Sequence, residues 1–189
     1  MTQKIQALAL KALGKSFPAR ELATELTWQD VPSHDRISPQ LEEMRREIRL
    51  RHGGDGKGYQ VLFSGPPGTG KTLTAVLLSK DNGRRLIYID LPNLISKYIG
   101  ETEKNLTKLL DRAAEENWLL FFDEADALFG KRSSVKHAHD RYANQEVSYL
   151  LKRMETFDDV VIFASNSSPD RKHALAHYFD KIICFSDKD

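Results

Sequence analysis

The chain has 189 residues, of which 40% are hydrophobic and 29% are charged, and its formal net charge is +1. This length fits one domain of ordinary size with a short extension. The charge balance gives no support for binding to nucleic acid or to a membrane surface, and no apolar run reaches the ~20 residues of a membrane span. The single cysteine, Cys184, excludes an internal disulfide and favours a reducing cytoplasm.

Residues 1–27 are predicted to form an N-terminal helical extension to a main domain of residues 28–189. An amphipathic helix is expected over residues 4–15, followed by a second short helix over residues 19–26. The first rests on four apolar residues at helical spacing, Ile5, Leu8, Ala9 and Ala12.

The main domain alternates short apolar runs with helical patterns. Each run is nearly continuous, as in strands that are covered on both faces. The alternation predicts a parallel sheet with helices on both sides. The predicted strands are Gln60–Ser64, Leu86–Asp90, Trp118–Asp123, Val160–Ser165 and Lys181–Phe185.

The first predicted strand leads into a loop with the pattern G-x-x-x-x-G-K-[ST] of a phosphate-binding loop. Its glycines allow backbone N–H groups to turn toward an anion, and the helix that follows adds the positive end of its dipole. We expect Lys71 to reach the β- and γ-phosphates of a nucleotide and the Thr72 hydroxyl to ligate Mg²⁺. The predicted phosphate-binding residues are Gly65, Pro66, Pro67, Gly68, Thr69, Gly70, Lys71, Thr72 and Leu73.

Polar side chains follow two later strands. Asp123 and Glu124 come after four apolar residues, and Asn166 follows the strand Val160–Ser165. Because the ends of parallel strands converge on one edge of a sheet, we expect the acid pair beside the phosphate loop. Asp123 would hold Mg²⁺ and Glu124 would act as general base on the attacking water. Asn166 would lie beside the γ-phosphate and help to orient that water.

The motifs Gly-Pro-Pro-Gly-Thr-Gly-Lys-Thr, Phe-Phe-Asp-Glu-Ala-Asp and Ala-Ser-Asn, in this order and spacing, resemble the AAA+ ATPases over roughly residues 28–186. The resemblance implies a P-loop NTPase three-layer sandwich with a five-stranded parallel sheet of order 5-1-4-3-2. It also implies that ATP and Mg²⁺ bind at a subunit interface of a ring, usually a homo-hexamer, that pulls or remodels a protein client. By motif, it assigns γ-phosphate sensing to Asn166.

Three finer matches follow from the same resemblance. The segment Lys97–Glu103 resembles the first pore loop, so Tyr98 and Ile99 are expected to grip a polypeptide. Val31 stands where a residue contacts adenine through its backbone, although the Ile-Gly-Gly usual after this point is absent. The run from Phe129 to Asn144 resembles a group of bacterial AAA-type ATP-binding proteins.

The sequence departs from the family in two places. His177 and Tyr178 stand where one or two arginines usually precede the fifth strand. An arginine finger is worth about 10³–10⁵ in rate, and neutral histidine cannot supply its permanent charge. The chain also stops four residues after the fifth predicted strand, which leaves no residues for the family's helical lid. Either the sequence is a fragment or the protein is a reduced member, and we expect slow hydrolysis and weak assembly in isolation.

Four functions fit this sequence to different degrees. The first is an ATPase that remodels or unfolds a protein partner. The second is an ATP-dependent switch or regulatory subunit with little hydrolysis of its own. A small-molecule phosphotransferase is disfavoured by the water-activating acid pair, and a nucleic-acid motor or clamp loader by the near-neutral charge.

Overall fold

A computed structural model describes residues 5–9, 17–32, 34–51, 58–97, 102–129, 138–167 and 177–186. In this part of the chain, seven strands form a single sheet in the order β1-β2-β4-β5-β6-β3-β7. The strands are β1 (Ile5–Ala9), β2 (Ala19–Thr24), β3 (Tyr59–Ser64), β4 (Arg85–Asp90), β5 (Trp118–Asp123), β6 (Val160–Ser165) and β7 (Lys181–Cys184). The helices are α1 (His34–Leu50), α2 (Lys71–Asp81), α3 (Leu91–Lys97), α4 (Thr102–Glu115), α5 (Asp126–Phe129) and α6 (Ala138–Glu155).

The central strands confirm the expected α/β arrangement. Strands β3 to β7 pair in parallel, and when they are numbered from β3 their order is 5-1-4-3-2. The sheet has two strands more than the five expected, because β1 and β2 extend it at the edge of β4. Both of these strands run antiparallel to their neighbours.

Helices cover both faces of the sheet and form three layers. Alternate residues of each strand enter one of two apolar clusters, as the period of two along a strand requires. Leu62, Leu120 and Phe163 belong to the cluster that packs under α4 and α6. Val61 and Phe121 belong to the cluster under α1 and α2.

The prediction of helices at the N-terminus is wrong for residues 5–9 and 19–24, which form strands. In β2 burial alternates, and Leu22 and Thr24 are buried. Strand β4 would otherwise present unpaired backbone groups at the edge of the sheet, and β2 pairs with it there. This long-range pairing outweighs the helical spacing of a few apolar residues.

Two further observations concern the described residues. The Cys184 thiol lies exposed at the end of the edge strand β7. None of the helices in these residues combines the length and the apolar character that crossing a membrane requires.

Candidate nucleotide-binding site

A cavity of about 500 Å³ opens at the carboxyl ends of the parallel strands. Register explains why the motif residues meet here. Ser64 pairs with Ser165 and Phe122 with Phe163, so the residues that follow β3, β5 and β6 emerge close together. The predicted site residues that line the cavity are Pro67, Gly68, Gly70, Lys71, Thr72, Leu73, Asp123, Glu124 and Asn166.

The glycines at both ends of the loop are required by close packing. Gly65 has φ of +150°, and a Cβ there would lie 2.0 Å from the carbonyl oxygen of Phe185. Gly70 has φ of +98°, and a Cβ there would lie 3.0 Å from Pro32 Cδ and 3.2 Å from Val31 Cγ1. The loop therefore fits between Phe185, which follows β7, on one side and residues 31–32 on the other.

Four predicted binding residues do not line the cavity: Gly65, Thr69 and Val31, which are buried, and Pro66, which is exposed. Thr69 is buried, and its hydroxyl donates to the carbonyl oxygen of Pro66 at 2.8 Å. Val31 is only 3% exposed, and its N–H donates to the carbonyl oxygen of Trp28 at 3.2 Å. The backbone N–H of Val31 is therefore already engaged, and its contact with adenine remains a prediction.

The Lys71 ammonium is held by acceptors of the loop itself. It donates to the carbonyl oxygens of Gly65 and Pro66, the second at 2.8 Å, and to Asn166 Oδ1 at 3.3 Å. Burial lowers the pKa of Lys71, and the negative charges of Asp123 and Asp126 oppose that shift only in part. The lysine is thus positioned among oxygen acceptors that phosphate oxygens could replace.

The backbone turns sharply between the two acidic residues, Asp123 and Glu124. Asp123 ends β5, and its Oδ1 accepts a hydrogen bond from the N–H of Glu124 at 2.9 Å. Glu124 has φ of +56°, a left-handed conformation that is unusual for a residue with a side chain. The chain is then fixed by the N–H of Ala125, which donates to the carbonyl oxygen of Ala164 at 2.8 Å. This turn leaves the Glu124 side chain exposed in the cavity, where a water molecule could reach it.

Asp126 supports the site through Asn166, a role that was not predicted from the sequence. Its Oδ1 accepts hydrogen bonds from Ser165 Oγ at 2.8 Å and from Ser167 Oγ and N–H at 2.6 and 3.2 Å. Its Oδ2 accepts the N–H of Asn166 at 2.9 Å. Burial opposes its ionisation, but the hydrogen bonds from Ser167, Asn166 and Ser165 outweigh burial and lower the pKa of Asp126. Asp126 therefore fixes the segment that carries Asn166.

Tyr88 is a second residue that the sequence reasoning missed. It lies on β4 opposite Phe121, so it shares a sheet face with Asp123, and its hydroxyl interacts with the Asp123 carboxylate. The pKa of Tyr88 is raised mainly by burial and further by the neighbouring Asp123 carboxylate. The Arg20 guanidinium on β2 lies 4.5 Å from the centroid of the Tyr88 ring. A tyrosine among apolar strand residues was the only signal in the sequence.

The residues present fit a Mg²⁺ ion that is bound together with a nucleotide. Among the described residues, no cluster of three or more His, Cys, Asp or Glu side chains could hold a metal alone. Mg²⁺ typically uses one or two carboxylates together with substrate phosphates and waters. The Thr72 hydroxyl and the Asp123 carboxylate, which line the same cavity, match that donor set.

Comparison with known proteins identifies the family. The family model described as "ATPase family associated with various cellular activities (AAA)" matches residues 61–187, well over half of the chain. The chain belongs to the AAA family of ATPases. The AAA family accounts for the combination of phosphate loop, acid pair and parallel sheet described above.

Several AAA proteins are similar to this chain over most of its length. An uncharacterized AAA family ATPase of Sinorhizobium fredii, y4kL, is 31% identical over 94% of this chain and 57% of its own. The cell division cycle protein 48 homolog of Archaeoglobus fulgidus is 31% identical over 82% of this chain and 22% of its own. The crystal structure of the FIGL-1 AAA domain superposes with a TM-score of 0.64 at 25% identity, over 86% of this chain and 55% of that one. The chain thus spans little more than half of the first of these relatives and about a fifth of the second.

The residues that replace the usual arginines of AAA proteins differ in their surroundings. The Tyr178 side chain packs against Phe163 and Phe179, and its hydroxyl donates to the carbonyl oxygen of Leu151 at 2.9 Å. His177 is exposed. Tyr178 therefore supports the core of this chain, and neither residue offers a guanidinium. Tyr98 and Ile99, the predicted pore-loop pair, lie outside the described residues.

Proposed function

We propose that this AAA chain binds ATP with Mg²⁺ and hydrolyses it to ADP and phosphate. One observation carries the proposal: the loop residues Lys71 and Thr72, the pair Asp123 and Glu124, and Asn166 line one cavity. These side chains come from three separate strand ends, so their meeting at one place is not explained by local sequence. Together they supply a cation, metal ligands, a base and an amide within reach of one triphosphate.

Each residue has a role that its present contacts allow. Lys71 would exchange the carbonyl oxygens of its loop for the β- and γ-phosphate oxygens. Thr72 and Asp123 would hold Mg²⁺, which when bound neutralises phosphate charge. Glu124 would accept a proton from water as the water oxygen bonds to the γ-phosphorus and the bond to the β–γ bridging oxygen breaks. Asn166 would orient the water and the γ-phosphate.

The proposal extends to a protein partner and an assembly. We infer that ATP turnover remodels or unfolds a protein client, as part of a homo-oligomeric and commonly hexameric ring, and that Tyr98 and Ile99 grip the client. Membership of the AAA family supports this inference, while the pore loop rests on the resemblance of Lys97–Glu103 alone. We place the protein in the cytoplasm, because a single cysteine fits a reducing compartment.

A second function is favoured by the packing of Tyr178. Its ring is directed into the core and its hydroxyl is bonded to the carbonyl oxygen of Leu151, so this position supplies no cation to a neighbouring nucleotide. An ATP-dependent switch that hydrolyses slowly would need no such cation. In that case ATP would change the affinity for a partner with little turnover.

Measurements of ATP binding and phosphate release on two variants distinguish the functions. For an ATPase, Glu124→Gln should retain ATP, lose turnover and stabilise assemblies, whereas Lys71→Ala should lose ATP. For a switch, Glu124→Gln should change little. If the unaltered chain fails to bind ATP, both functions are wrong. Tyr98→Ala should abolish client remodelling while sparing basal hydrolysis, and unchanged remodelling would contradict the pore assignment.

A further inference from the structure

The N-terminal strand pair, β1 and β2, supplies part of the wall of the nucleotide cavity, although it lies outside the matched family segment of residues 61–187. Ile5 is the first residue of β1 and Leu26 follows β2 by two residues, and both line the cavity. Both are partly buried against the apolar cluster that lies under α1 and α2. Each side chain is thus anchored on one side and borders the cavity on the other.

The strand pair is held in a fixed position relative to the phosphate loop. β2 pairs with β4, and Ile5 lies opposite Thr24 in the pairing of β1 with β2. The Leu26 N–H donates to Thr24 Oγ1 at 3.1 Å. Lys80 Nζ, on the helix that begins at Lys71, donates to the carbonyl oxygen of Thr24 at 3.4 Å. Leu26 is therefore tied to the same helix that presents the loop.

The walls of the cavity differ in polarity. The wall formed by the strand ends carries Asp123, Glu124 and Asn166, which suit phosphate chemistry and offer no apolar surface to a base. Apart from the loop and the strand ends, the lining consists of Ile5, Leu26, Asp30 and Pro32, of which all but Asp30 are apolar. A nucleotide with its phosphates at the loop must place its base elsewhere, and a flat base is best received by apolar side chains.

We propose that Ile5 and Leu26 contact the purine base of the bound nucleotide and raise its affinity. This inference rests on the proposed binding of ATP and assigns its base-binding surface to residues outside the matched family segment. The strand pair therefore extends the sheet and also contributes directly to nucleotide binding.

The test compares two ligands, MgATP and magnesium tripolyphosphate, which shares the phosphates but has no base. Calorimetry on the full chain should show that Leu26→Ala and Ile5→Ala each weaken MgATP about tenfold, as for loss of apolar contact in a pocket. Tripolyphosphate affinity should stay within about twofold, because the loop is untouched. Leu26→Met, which keeps the apolar volume, should restore most of the MgATP affinity.

Matched controls lie beside each residue. Gln6 and Glu25 are exposed and do not line the cavity, so Gln6→Ala and Glu25→Ala should bind both ligands as the parent does. Should Leu26→Ala fail to fold, Ile5→Val makes the same comparison by removing one carbon, with an expected loss of about fourfold.

Two outcomes would overturn the inference: unchanged MgATP affinity in the variants, or equal losses for MgATP and tripolyphosphate. The failure of the proposed function gives a different result. If Lys71→Ala weakens neither ligand, the phosphate site itself is wrongly assigned, whatever the strand-pair variants do.

Discussion

Replacing Asp126 by asparagine tests whether this carboxylate positions Asn166. Asp126 Oδ1 accepts hydrogen bonds from the hydroxyl groups of Ser165 and Ser167. Asp126 Oδ2 accepts a hydrogen bond from the Asn166 N–H at 2.9 Å. An asparagine can keep its amide oxygen at the Oδ1 position, but its NH₂ group then faces the Asn166 N–H, so two donors oppose each other. The substitution therefore removes the hydrogen bond that the Asn166 N–H donates to Asp126.

A hydrogen bond to a charged group contributes about 1.5–3 kcal/mol. Because Asp126 is only partly buried, we take the lower half of that range and expect Asp126→Asn to lower the free energy of unfolding by about 1.5–2 kcal/mol. If a similar amount is lost from the transition state, turnover falls by about 13- to 30-fold. MgATP affinity should change by less than about threefold, because the phosphate loop keeps its own contacts.

The assays are urea denaturation, steady-state phosphate release and calorimetric binding of MgATP. Ser167→Ala is the matched control, since it removes a hydroxyl donor to Oδ1 and leaves the bond to the Asn166 N–H. It should cost about 1 kcal/mol of stability with turnover near that of the parent. Parental turnover in Asp126→Asn, or an equal loss of turnover in Ser167→Ala, would refute the positioning role.

The lowered pKa of Asp126 adds a pH signature. A carboxyl whose pKa is lower in the folded state stabilises the fold above its unfolded pKa of about 3.9, and this contribution is lost as the pH falls through the folded value. The parent should therefore be more stable than Asp126→Asn at neutral pH, and the difference should shrink in acid below about pH 4. A difference that is independent of pH would contradict this.

Three further predictions concern the loop and the acid pair. Without nucleotide, Gly65→Ala should lower the free energy of unfolding by about 3 kcal/mol or more, because its Cβ would meet the backbone of Phe185. Gly68→Ala has only a left-handed φ to accommodate and should cost about 1 kcal/mol. Equal losses would contradict the packing. Tyr88→Phe removes the hydroxyl that interacts with Asp123 and should weaken the apparent Mg²⁺ affinity about tenfold in titrations with ATP present. An unchanged titration would separate Tyr88 from the metal site. Burial lowers the pKa of Lys71, so the lysine should lose its charge below the ordinary lysine value of about 10.4. MgATP affinity, measured by calorimetry at constant ionic strength, should therefore fall as the pH rises toward that value. An affinity that stays constant up to that pH would show that the charge of Lys71 does not contribute to binding.

The sequence was sufficient to predict the parallel core, because each strand there is a continuous apolar run and the loop pattern fixes where the first one ends. It also indicated that Lys71, Asp123 and Asn166 would meet, since parallel strands share one carboxyl edge. These inferences depend on short motifs and on a general property of parallel sheets.

The missed features depend on contacts that are distant in sequence. Helical spacing over a few residues could not reveal that β2 would pair with the edge of β4, so neither Ile5 nor Leu26 was expected in the cavity. The role of Asp126 depends on a segment 40 residues away, and the role of Tyr88 depends on the neighbouring strand. Pattern and propensity carry no information about such partners.

The central claim is that Lys71 and Asp123 act on one bound magnesium triphosphate, and a double-mutant cycle on MgATP affinity tests it most directly. Lys71→Ala and Asp123→Asn should each weaken binding by roughly 10- to 150-fold, the range for hydrogen bonds to charged groups. If both groups act on the same triphosphate, the double variant should depart from the product of the single effects by at least about threefold. A product within error, or a Lys71→Ala chain that holds MgATP as tightly as the parent, would contradict the account.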